Sequence, residues 1–170
     1  YLEVLVNEEV RDLALVDAAV YDDVFLASRA VWDITRVRQL FFSRCKPESI
    51  GLSAGGGQLE RVGPEEPRGL ALALDPDFAC KVRAAICPGL FADVGVVKVR
   101  PMRPGVAVPV GLTPCVLALD GEREVEVRGE ECAAVRLAED RLYVADVEKI
   151  LEYARQRGIF LRGAQVCYAN

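Results

Sequence analysis

Apolar positions along the chain gather into short runs, each broken by glycine, proline or charged residues. Leu2 to Val6, Leu13 to Val20, Val24 to Ala27, Gly69 to Leu74, Val94 to Val99, Val106 to Val110, Val116 to Leu119, Glu124 to Val127 and Ala133 to Leu137 have the branched-residue density and flanking turn residues of strands. Asp120-Gly121 joins two of them and supplies the left-handed backbone of a tight hairpin, with Val125 and Val127 alternating with charged residues on the return strand. Gly129 turns the chain into a further alternating strand, which makes a β-meander. Helical spacing occurs twice. Asp33 caps a first predicted helix with Ile34, Val37, Leu40 and Phe41 on one face. Asp146 caps a second, whose stripe is Val147, Ile150, Leu151 and Ala154, whose last turn carries Arg155 and Arg157, and which Gly158 ends. Segments 61–68 and 100–105 read as loops too short to link domains. The pattern predicts one strand-rich domain without an internal repeat.

Composition narrows the chemistry more than the fold. At 170 residues and 52% apolar, the chain can bury a sizeable core and is not disordered. No run of 18 uncharged apolar residues exists, so no helical membrane span is expected. Histidine is absent, which excludes Ser-His-Asp and Cys-His nucleophile pairs, imidazole acid-base chemistry and any zinc site that needs imidazole. A net charge of -5 opposes binding to nucleic acid or to an anionic membrane. Cysteines stand at 45, 80, 87, 115, 132 and 167 without a CxxC pair. They are expected to be reduced, buried thiols of a cytoplasmic protein.

Two features invite a site. The stretch Pro47 to Gln58 holds Ser49, Ser53 and three consecutive glycines, Gly55, Gly56 and Gly57. Such a segment either lets backbone amides approach a ligand or forms a bulge or hairpin loop. It is not a phosphate-binding lysine loop, and with no histidine base neither serine is an activated nucleophile. Asp17, set among Ala14, Leu15, Val16, Ala18 and Ala19, is the second. A carboxylate within an apolar strand needs a partner, so it either pairs with an arginine or faces a ligand. The adjacent pairs Asp22-Asp23, Glu65-Glu66 and Glu130-Glu131 read as solvated or turn residues, since neighbours on a strand point to opposite faces. Trp32 reads as core. No catalytic and no metal-ligating residue is identified.

Four short motifs in order resemble the C-terminal β-domain of the NAD kinase family. Leu52-Ser-Ala-Gly-Gly56 is similar to the family's Leu-Ser-Ala-Gly-Gly-Pro, Ile86-Cys-Pro88 to its Ile-Cys-Pro, and Leu119-Asp-Gly121 to its Leu-Asp-Gly-Gln. Ala14-Leu-Val-Asp17 stands where the family has Ala-Leu-Asn-Glu/Asp. Gly57 replaces the family proline, Gly89 its histidine, and its Gly-Gly-Asp-Gly-Thr motif is missing. The resemblance implies a mainly β fold, a multi-stranded β-sandwich of the NAD kinase C-terminal type with two peripheral helices. It would span residues 1–160, followed by a tail at 161–170. It further implies an NAD-binding domain of an ATP-dependent phosphotransferase, with Asp17, Ser49, Ser53, Gly55, Gly56 and Asp120 at the dinucleotide and with ATP and Mg²⁺ in the parent reaction. The missing motif implies that a Rossmann-like N-terminal domain has been cut away, as the opening Tyr1 also suggests, and that this chain alone is inactive as a kinase. The alternative is a non-catalytic interaction or oligomerisation domain on the same scaffold. A homo-oligomer is expected in either case.

Overall fold

The computed structural model describes residues 1–23 and 33–163. Its strands form where branched and aromatic residues meet a pleated, half-buried surface. In chain order they are β1 (Leu2–Val6), β2 (Glu9–Ala14), β3 (Asp17–Tyr21), β4 (Val37–Phe42), β5 (Gly69–Leu74), β6 (Lys81–Cys87), β7 (Leu90–Met102), β8 (Ala107–Pro109), β9 (Cys115–Leu119), β10 (Arg123–Val127) and β11 (Ala133–Leu137). Two helices accompany them, α1 (Leu52–Leu59) and α2 (Val147–Gln156). The strands make two antiparallel sheets, one of four in the order β2-β1-β11-β8 and one of seven in the order β10-β9-β3-β4-β5-β7-β6.

The sheets pack face to face over one apolar core. Leu2, Val4, Val6 and Val135 of the small sheet meet Ala18, Val20, Phe41, Leu117 and Leu119 of the large one. A second core lies on the other face of the large sheet, where Ala19, Leu40, Phe42 and Leu72 are covered by α1 and by Ala84 of β6. The long strand β7 serves both, pairing β5 through Val96–Met102 and β6 through Leu90–Gly95. At Gly95 a Cβ would lie 1.9 Å from the Asp75 carbonyl oxygen, so only glycine lets β7 pass that loop. The protein is thus a mainly β sandwich with two helices.

Three elements differ from the sequence expectation. Asp33 does cap a turn, its carboxylate accepting the Thr35 N–H at 3.1 Å, but the turn is a single 3₁₀ turn at Ile34–Arg36 that runs straight into β4. β4 lies in the middle of the large sheet with Leu40 and Phe42 on one core and Phe41 on the other, so both faces are apolar and no period-2 signal survives. Arg38 bulges out of the register between Gln39, opposite Val20, and Val37, opposite Tyr21, which shifts the phase again, and the resulting 3–4 spacing imitates a helix. The run Leu13 to Val20 is two strands, broken at Leu15–Val16. The glycine stretch is not a loop but α1. The predicted strand Val24 to Ala27 and Trp32 fall outside the described residues.

The hairpin turn and the caps of α2 are as expected, whereas the cysteines are less buried than expected. The Asp120-Gly121 turn has φ of +52° and +71° and closes the β9–β10 hairpin with Leu119 opposite Arg123. The Asp146 carboxylate caps α2 by accepting the Lys149 N–H at 3.0 Å, and Gly158, at φ +62°, stops it. Five described cysteines are unpaired, yet only Cys45 and Cys115 are buried; Cys80 and Cys132 are exposed and Cys87 half-buried. Burial pushes the Cys45 and Cys115 thiols up to about 11. No described helix is long and apolar enough to cross a membrane.

Candidate functional site

Asp17 opens β3 at its junction with β2. It lies on the same face as Ala19 and Tyr21, which belong to the core under α1, and its register partner on β4 is Phe42. Its side chain is half-buried, with its oxygens in reach of solvent, and accepts no hydrogen bond from any described residue. Burial raises its pKa from 3.8 to about 6, and the neighbouring Asp120 carboxylate adds to the rise by repulsion. Of the two partners the sequence left open, an arginine is not there.

Asp120 sits beside it for a structural reason. The positive φ of the hairpin turn brings its carboxylate over the β2–β3 break, where no strand partner serves the backbone. One oxygen accepts the Leu15 N–H at 2.6 Å; the other accepts those of Val16 at 2.7 Å and Asp17 at 3.1 Å. The Asp120 N–H donates to the Asp17 carbonyl at 3.0 Å. From the opposite side the Ser43 hydroxyl donates to the Leu15 carbonyl at 2.6 Å. Asp120 and Ser43 therefore hold the kink that presents Asp17. Ser43 carried no sequence signal, because its role exists only once the β2–β3 break is folded against the end of β4.

The glycine segment approaches the same face as a helix. Ser53, Ala54, Gly55, Gly56 and Gly57 are all buried in α1. A Cβ on Gly56 would stand 2.7 Å from the Phe42 ring, and one on Gly57 would stand 2.1 Å from the Lys46 carbonyl. A Cβ on Gly55 would make an ordinary 3.6 Å contact with Ala84. The glycines thus bring the helix backbone down onto β4 and the Lys46 turn, offsetting about 1 kcal/mol of helix propensity lost at each. Gly56 and Asp17 share Phe42 as a neighbour, so segment and strand are on one side of the sheet. Ser49 lies in the turn before α1, its N–H donating to the Lys46 carbonyl at 3.0 Å. No hydrogen bond among the described residues joins Ser49 or Ser53 to Asp17.

Five of the six adjacent acidic residues have partners of their own, and Glu130 is exposed. Asp22 pairs with Arg38, Asp23 with Arg36, Glu65 with Arg141 and Glu66 with Arg68, while Glu131 accepts the Arg128 N–H within a turn. No group of three or more metal-ligating side chains occurs among the described residues.

The family model of the acetoin catabolism protein X C-terminal domain matches residues 1–140, which is the sandwich and the site together. The chain belongs to that family. Acetoin catabolism protein X of Cupriavidus necator is 34% identical over 146 residues, covering 85% of this chain and 41% of that protein. The chain therefore spans less than half the length of this curated relative. No solved structure matches the chain significantly. This overturns the NAD kinase resemblance, and with it the reading as the NAD-binding domain of an ATP-dependent phosphotransferase. Its four motifs are short and built of small or turn-forming residues. Leu119-Asp-Gly121 closes a hairpin and Leu52-Ser-Ala-Gly-Gly56 seats a helix, which are needs of the fold and not of a dinucleotide. A match along 140 residues outweighs them. The expectation of NAD, ATP and Mg²⁺ rested on that resemblance alone.

Proposed function

We propose that the chain serves acetoin catabolism as the C-terminal β-sandwich domain of a longer protein, and that Asp17 there binds a small, neutral, hydroxyl-bearing ligand of the acetoin class. The observation that carries this reading is the unpartnered Asp17 carboxyl. A carboxylate half withdrawn from water and without a protein donor is less favourable than a paired one, and a ligand hydroxyl is a donor that would pair it. Asp120, adjacent and charged, repels an anionic ligand such as a phosphate ester or dinucleotide and leaves a neutral one unaffected. The name of the Cupriavidus necator relative supplies the pathway in which such a ligand occurs.

At about 0.7 kcal/mol per heavy atom, well inside the limit for small ligands, a molecule of acetoin's size binds with a Kd of about 1 mM. Titration of isotope-labelled protein with acetoin is expected to shift the amides of Asp17, Ala18 and Ala19 saturably at pH 7.5. Binding weakens below pH 6 as Asp17 takes up its proton, and Asp17→Ala abolishes it. Shifts that persist unchanged in Asp17→Ala, or none at about 50 mM ligand, overturn the proposal.

A further inference from the structure

α2 lies beyond residue 140, where the family match ends, and presents Val147, Ile150 and Leu151 of its apolar stripe to solvent, with Ala154 buried under the turn that follows. Ile150 is 55% and Leu151 51% exposed, and Phe160, just after the helix stop, is 64% exposed. A ten-residue helix is marginal in water unless its apolar face is buried. We propose that α2 pairs antiparallel with α2 of a second copy of this chain.

The charge pattern selects that occupant. At 100° per residue, Glu148 and Arg155 flank the stripe on one side and Asp146 and Arg157 on the other. In an antiparallel helix pair each flank meets the same flank of its mate, reversed in direction. Both pairs have one midpoint, between Leu151 and Glu152. A single register therefore sets Glu148 against Arg155 of the second copy and Asp146 against Arg157 of the second copy, while the apolar stripes close on each other. Opposite charges beside an apolar seam are how paired helices fix orientation. An anionic membrane would instead meet the acidic Asp146, Glu148 and Glu152 half of the helix. A two-helix contact is smaller than a standard interface of about 800 Å² per partner, so the dimer forms with a Kd of roughly 1–100 µM.

Sedimentation equilibrium of the 170-residue chain over about 1 µM to 1 mM tests this. The mass is expected to rise from 18.6 kDa to twice that value. Ile150→Glu, at a solvent-facing position that leaves the sandwich untouched, stays monomeric. Glu148→Arg and Arg155→Glu each weaken self-association about tenfold, because each places like charges together. An equimolar mixture of the two regains the wild-type affinity, since either flank then pairs opposite charges. A mass of 18.6 kDa throughout, or an Ile150→Glu protein that associates like wild type, overturns the pairing. A mixture that associates no better than its components overturns the antiparallel register.

Discussion

At Asp17 stability and the proposed ligand binding pull in opposite directions. The folded chain holds the Asp17 proton up to about pH 6, whereas the unfolded chain releases it near 3.8. Between these values the folded state binds more protons, so stability is full below about pH 4 and falls as pH rises through 6. Two pKa units correspond to about 3 kcal/mol, and partial exposure reduces this to about 2 kcal/mol. Asp17→Asn keeps the shape and removes the charge. Urea unfolding is expected to show the variant more stable than wild type by about 1–2 kcal/mol at pH 7.5, with the difference vanishing at pH 4. Parallel pH profiles for the two proteins would mean that Asp17 is satisfied in the fold and has no need of a ligand. Its apolar context was legible in the sequence, as a lone carboxylate among alanines, valines and leucine. Its neighbour was not. Asp120 is far away along the chain, and only the β3–β9 pairing with its positive-φ turn brings the two together.

At the level of elements, α1 separates what glycine does from what it suggests. Local propensity opposes a helix through Gly55, Gly56 and Gly57, and its N-cap, Gly51, offers no side chain. The helix exists because close approach to Phe42 and to the Lys46 carbonyl buries it, a tertiary cause that no window of sequence displays. Gly57→Ala would drive a methyl into that carbonyl and is expected to cost about 2–4 kcal/mol. Gly55→Ala meets only Ala84 at van der Waals distance and gains helix propensity, so it should be neutral or stabilising by up to about 1 kcal/mol. Thermal melts of the two variants check both signs, and equal effects would show that α1 is not seated on the Lys46 turn. The same contrast explains the strands. β5, β10 and β11 match their predicted runs because turns bound them, and β10 alternates cleanly between core and solvent. β4 deceived because it is buried on both faces, and β6 was missed because it is a partly exposed edge strand whose branched residues, Val82 and Ile86, are separated by Arg83 and two alanines. α2 was legible from its cap to its stop, since those signals are local.

For the whole molecule, the two cores and the site all lie within residues 1–140, the span of the family match. The described residues 141–163 add little to them. Leu142, Tyr143 and Val144 are exposed, and Ala154, the one buried residue of α2, lies in the turn that folds back when the Ile159 N–H reaches its carbonyl at 3.0 Å. The Arg141–Glu65 ion pair is exposed on both sides and contributes about 0–1 kcal/mol. Removing residues 141–170 should therefore leave the sandwich folded, with a thermal midpoint within about 3 °C of the full chain at the low concentration where both are monomeric. It should also leave any acetoin-induced shifts at Asp17 in place while ending self-association, because the proposed ligand site and the proposed helix pair stand on separate parts of the chain. A truncated chain that fails to fold would mean that α2 belongs to the domain. One that still dimerises would place the interface on the sandwich, where the exposed Phe91 and Val97 of β7 offer the next apolar surface.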